Sequence, residues 1–104
     1  MNNKYILSDE NTQEVGHTLY RIKALKDIGS YAKTGDSGGW IERENNLSAT
    51  GDAWVADDAK VFGEAKVTDD ALVFGSATVS GNARITGNAR AGGSAWVSEQ
   101  RLDI

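Results

Sequence analysis

From residue 51 onward, apolar positions recur every six residues: GDAWVA, DDAKVF, GEAKVT, DDALVF, GSATVS, GNARIT, GNARAG, GSAWVS. The third place is alanine in every unit, from Ala53 to Ala95. The fifth is Val55, Val61, Val67, Val73, Val79, Ile85, Ala91 and Val97, and the first is always Gly or Asp. NNLSAT (45–50) fits as a degenerate leading unit with Leu47 and Ala49 in the two apolar places. A period of six does not suit an α-helix, whose apolar positions recur at three and four. Ala-x-Val alternates like a short strand, and Gly or Asp followed by a polar residue forms a corner that tolerates positive φ. Three such units close a triangular coil of 18 residues, and successive coils stack at about 4.8 Å. The pattern predicts an all-β, single-stranded β-helix of three coils over 45–98, with valine filling the interior and alanine near the corners. A flat meander of short hairpins is the alternative, but it would not need the same alanine at every turn.

The first 44 residues do not repeat. HTLYRIKALKDI (17–28) alternates, with Tyr20, Ile22 and Ala24 on one side and Arg21 and Lys23 on the other, and reads as an amphipathic strand. KYIL (4–7) is a second, shorter candidate, and GDSGGWIE (35–42) is a glycine turn running into a strand. An uncovered β-helix end exposes core and unpaired backbone, so residues 1–44 are expected to form an N-terminal β cap. The reading is one structural domain: a capping segment 1–44, the repeat array 45–98 and a tail 99–104. In the tail, Arg101 stands where alanine is expected and Asp103 where valine is expected, so it is not expected to complete the next face.

The aliphatic-x-x-x-small-x frame, as in Val61-Phe-Gly-Glu-Ala65-Lys, resembles the left-handed β-helix of hexapeptide-repeat proteins. HTLYRIKALKDI, then GDSGGWIERENNLS, then the Gly-x-Ala-x-Val-x array is similar to the YdcK-like hexapeptide family and its short relatives in phages and prophages. The similarity covers roughly residues 17–98. It implies the left hand, which spacing alone does not fix, and a phage setting. It implies no activity.

Composition narrows the chemistry. There is no cysteine, which removes disulfides and thiolate sites and fits a reducing compartment. The start lacks a signal-peptide pattern and no apolar run approaches a membrane span, so a cytoplasmic or virion-associated location in the host cell is expected. The net charge of −4 argues against unaided nucleic-acid binding. Hexapeptide β-helices include zinc carbonic anhydrases and acyltransferases. The first needs three histidines on zinc, and this chain has one, His17, outside the repeats. The second uses a histidine base with inserted loops, and 51–98 runs without insertion. Gly35-Asp-Ser-Gly-Gly39 resembles a serine-protease loop only superficially and reads as a glycine turn. Asp57-Asp58 and Asp69-Asp70 read as corner aspartates, since the nine-residue calcium motif is absent. No catalytic residue, cofactor site or metal site is expected.

The 18-residue period also stacks the outward side chains. Trp54, Leu72 and Phe74 fall on one face, above Arg90, and Phe62 and Trp96 on another. A third carries the column Thr50, Thr68 and Thr86, read as a ladder without a ligand. Large apolar groups gathered at outward places mark an interface or a surface that another segment covers. The first reading is adopted: a protein interface of Trp54, Leu72, Phe74, Phe62 and Trp96, joined by Leu102 and Ile104 from the tail, serving a homodimer or homotrimer or an unknown host or phage protein. In the second, residues 1–44 fold back over the stripe. The expected function is a non-enzymatic phage or prophage accessory protein that binds other proteins, with inhibition of a host defence complex as one such role. A virion or assembly component and a reduced acyltransferase-like enzyme are the alternatives.

Overall fold

The computed structural model describes residues 2–98 and the backbone of 101–103. It is all-β apart from a 3-10 turn at Glu44–Asn46. Three strands lead: β1 (Tyr5–Glu14), β2 (His17–Ala24) and β3 (Ser37–Ile41). Short rungs follow: β4 (Trp54–Val55), β5 (Lys60–Val61), β6 (Lys66–Val67), β7 (Leu72–Val73), β8 (Thr78–Ser80), β9 (Arg84–Thr86), β10 (Arg90–Ala91), β11 (Trp96–Ser98) and β12 (Arg101–Asp103). They form a β-solenoid of about three turns. Its faces are parallel sheets, β4-β7-β10 (face one) and β6-β9-β12 (face three), while face two joins a six-stranded sheet in the order β1-β2-β3-β5-β8-β11.

The six-residue period dictates this geometry. The first residue of every unit from 51 to 93 has positive φ, including the non-glycines Asp57 (57°) and Asp69 (61°). Each sharp corner turns the next Ala-x-Val segment onto a new face. The coil-to-coil register is 18, as in Leu72↔Trp54 and Arg90↔Leu72. Every interior alanine and valine from 53 to 89 is fully buried, as is Ile85. Where aspartate replaces glycine at a corner, its carboxylate accepts a hydrogen bond from the next coil: Gly75 N–H to Asp57 Oδ2 and Gly87 N–H to Asp69 Oδ2, both 2.9 Å.

Both ends of the array differ from the sequence reading. Leu47 bridges Val67, an interval of 20 residues, so the leading unit is displaced by two and Ala49 is exposed. Asn46 causes the offset. Its buried carboxamide accepts from the N–H groups of Glu42 (3.0 Å) and Arg43 (2.9 Å) and donates to the carbonyls of Gly63 (3.2 Å) and Ala65 (2.8 Å). Every hydrogen-bonding position of the amide is used, which fixes the chain's entry onto the first coil. At the other end β12 does complete face three, with Leu102 opposite Ile85. The interval there is 17 rather than 18, a register that strict six-residue counting hides.

β1 and β2 form an antiparallel hairpin closed by Val15 (φ 47°) and Gly16 (φ 84°). Positive φ at both loop positions is the geometry that favours Asn-Gly, and a β-branched residue there is strained. Val15 is 81% exposed and so gains little from packing. Val15→Asn is expected to stabilise the protein by about 1 kcal/mol, read as a melting point raised by roughly 4–8 °C. An unchanged or lower melting point refutes the strain.

The alternation in β2 is only half kept. Ile22 and Ala24 enter the main core, but Leu19 rather than Tyr20 is the buried residue upstream, with a register irregularity against β3 between Arg21 and Lys23. β3 lies close against the first coil because it carries two glycines. A Cβ on Gly38 would sit 2.6 Å from the Val55 carbonyl oxygen, and one on Gly39 2.6 Å from that of Ala59. The Gly-Asp-Ser-Gly-Gly turn is therefore a packing device.

Lys4 is buried, with Nζ donating to the Ser48 carbonyl at 2.9 Å. Burial lowers its pKa to about 8, against the partly opposing charges of Asp52 and Asp70. The folded value lies below the unfolded one, so the unfolded chain binds more protons between about pH 8 and 10.5 and stability rises with pH in that window. From pH 7 to 9.5 the gain is about 1 kcal/mol once solvent screening of the ammonium is allowed for. Urea unfolding at the two pH values measures it, and Lys4→Met should abolish the rise. A flat or falling wild-type profile over that interval refutes it.

Candidate protein interface

The structure separates the apolar residues that periodicity groups together. Trp54 is 1% exposed. The segment between β2 and β3 lies over face one: Tyr31 Oη donates to the Asp70 carbonyl (3.0 Å), and the Arg90 guanidinium sits 5.6 Å from the Tyr31 ring centre. Ile28 and Ala32 of this loop are buried in the same core cluster as Trp54. The loop holds its shape through backbone bonds between Ile28 and Ala32 and between Ala24 and Gly35. Asp27 adds to this by accepting from Thr34 N–H (2.9 Å) and Oγ1 (3.1 Å), and these bonds lower its pKa. Trp54 is therefore a core residue. Leu72, one coil below it, is half-buried and packs against the edge of that core.

Phe62 also leaves the surface. It is 6% exposed, with the His17 ring 4.9 Å away. His17 Nδ1 lies 3.0 Å from Glu42 Oε2, and Glu42 Oε1 accepts from the N–H of Gly63 at 2.9 Å. Partial burial pushes the Glu42 carboxyl up, but the hydrogen bonds from His17 and Gly63 outweigh it and its pKa is lowered. The lone histidine thus ties β2 to β3 and to a coil corner. Lower on the same wall, Glu14 pairs with Lys60 (3.2 Å). Arg21 bonds the carbonyls of Gly38 (2.7 Å) and Asp57 (3.2 Å) while stacking 4.3 Å over Trp40. The hairpin extends face two edge to edge beyond β3, and its side chains reach down to the first coil.

Phe74 is half-buried, and a Cβ on Gly92 would lie 2.1 Å from its ring. The ring is seated on a glycine one coil below. Of the expected interface residues whose side chains are described, Trp96 alone is plainly on the surface, 68% exposed on β11 and in register with Thr78. Leu102 is placed only by its backbone in β12, and Ile104 lies outside the described residues. Around Trp96 the interior thins: Ala95 is half-buried and Val97 is 5% exposed. No carboxylate occurs between residues 71 and 98, where Arg84 and Arg90 are exposed.

Other parts of the surface offer less. A hollow of about 340 Å³ is lined by Asn2, Tyr5, Glu44, Leu47, Ser48 and Thr68. The Tyr5 hydroxyl there is already committed to the carbonyls of Glu44 (2.9 Å) and Leu47 (2.6 Å). Among the described residues no cluster of three or more His, Cys, Asp or Glu side chains is placed to hold a metal ion. No helix among them is long and apolar enough to cross a membrane. The class the fold defines is a β-solenoid. No family model matches the chain, and no curated protein matches it.

The burial of Trp54 and Phe62 was invisible to periodicity because the covering segments do not repeat. A usable signal was nonetheless present in Ile28 and Tyr31, apolar residues flanking Gly29 in a stretch too irregular to be a strand.

Proposed function

We propose that this chain is a non-enzymatic protein-binding module of phage or prophage type, built on a left-handed solenoid whose first 44 residues serve as its cap. The observation that carries the binding reading is Trp96, a 68%-exposed indole on the last rung of face two, where its neighbours upward are Thr78 and Lys60. A large aromatic side chain on a rigid polar wall is characteristic of an interface anchor. Support for the cap comes from β3 lying on the first coil through Gly38 and Gly39. Support for the left hand and the phage setting comes from the sequence resemblance alone. Interference with a host defence complex is one role such a module fills.

Affinity purification from phage-infected cells tests the reading, with wild type and Trp96→Ser as paired baits. A protein retained by the wild type and lost from the variant is the expected result. Equal recovery by both baits, or recovery of no protein including the bait's own untagged copy, overturns it.

A further inference from the structure

We propose that the end of the solenoid formed by β10, β11 and β12 is the docking surface for a second copy of the same chain, related by a two-fold axis through β11. The inference rests on the protein-binding reading and names the partner. β10, β11 and β12 are each the last strand in their sheets. Among the described residues, nothing pairs with their lower edges. The opposite end is different, because β3 lies on the first coil there and Asn46 occupies two of its carbonyls. One end of the prism thus presents edge strands on all three faces. Such edges are templates for pairing.

The geometry of a solenoid end selects the occupant. The three rungs descend in chain order, β10 on face one, β11 on face two and β12 on face three. The end is therefore a ramp that falls by about one inter-strand spacing per turn. A two-fold axis perpendicular to the prism and passing through the middle rung maps that ramp onto its own complement. β11 then lies antiparallel to the partner's β11, and β10 meets the partner's β12. All three edges are matched in height at once, which a partner with a flat end does not achieve. The same operation brings the strand containing Arg90 to the strand containing Asp103. It also places Trp96 beside the axis, where one residue contributes twice to an isologous contact. Among the described residues Trp96 is the most exposed large apolar side chain of the solenoid.

Sedimentation of the full chain over a concentration series, with wild type and Trp96→Ser, tests this. Wild type is expected to show a closed monomer–dimer equilibrium. Trp96→Ser should weaken the dimer at least tenfold while the melting temperature of the dilute monomer stays unchanged. A wild type that stays monomeric at high micromolar concentration overturns the proposal. So does a dimer that Trp96→Ser leaves intact, or a series growing beyond two copies, which signifies a head-to-tail contact. A monomeric wild type that still captures a Trp96-dependent protein from infected cells removes the second copy but keeps the binding module. A dimer with no other captured protein restricts the module to self-association.

Discussion

Val73→Asp is expected to leave the chain unfolded at neutral pH. Val73 is fully buried on β7, the middle rung of face one, between Val55 above and Ala91 below. All the surrounding interior residues are alanine, valine or isoleucine. A carboxylate there has no partner, and burying an unpaired charge costs several kcal/mol. Whole domains are stable by only about 5–15 kcal/mol, and a domain of this size lies toward the low end. Escape by local opening is closed off, because stacked coils are stabilised by their nearest neighbours and losing the middle one leaves two short fragments. Val73→Ala is the control: it removes two methyl groups, should cost about 1–3 kcal/mol, and should remain folded. Circular dichroism melts and urea titrations separate the outcomes. A cooperative Val73→Asp transition at the wild-type temperature would show that residue 73 does not face inward.

That inward phase was legible because the repeat states one constraint eight times. A small residue at the third place, an aliphatic residue at the fifth (β-branched in every unit but that of Ala91) and a positive-φ residue at the first each have a single physical cause, and the structure realises all three along 51–98. The coil number, the three faces and the roles of Asp57 and Asp69 as corner residues follow from it. What the pattern hid lies where a single residue outweighs the period. Asn46 uses its whole amide to set the entry of the chain and displaces Leu47 by two places. A 17-residue register lets β12 complete face three although Arg101 and Asp103 stand at the counted inward places. Neither event leaves a periodic trace.

The candidate interface was less legible for a related reason. Periodicity reports which side chains point outward from the coil. It carries no information on whether a non-repeating segment lies over them. Trp54, Leu72 and Trp96 all occupy the fourth place of their units, yet they are buried, half-buried and 68% exposed respectively. The difference is set by the loop between β2 and β3, which runs over the upper coils of face one, and by the hairpin at the far edge of the face-two sheet, whose side chains reach the first coil and not Trp96.

This contrast gives the second large effect. Trp54→Ala should destabilise the chain by about 3–5 kcal/mol, the usual cost of deleting a buried tryptophan, while Trp96→Ala should change stability little. Trp54 is 1% exposed and belongs to the core cluster that includes Ile22, Ile28 and Ala32. Removing the indole takes away part of the floor on which the loop rests. Local release should therefore precede global unfolding, since the loop is then held to the solenoid by the buried side chains of Ile28 and Ala32 and by hydrogen bonds such as Tyr31 Oη to the Asp70 carbonyl. Trypsin supplies the local readout, because Lys26 and Lys33 lie in this loop. In Trp54→Ala, cleavage at these lysines should accelerate by far more than cleavage at Lys66 on β6. Fluorescence supplies the second readout: loss of Trp54 should shift emission to the red, leaving Trp40 and the exposed Trp96, whereas loss of Trp96 should shift it to the blue. A Trp54→Ala protein with wild-type stability would mean that residues 25–36 do not cover face one in solution. The apolar stripe of Trp54, Leu72 and Phe74 would then return to the surface as a rival to Trp96 for the binding site.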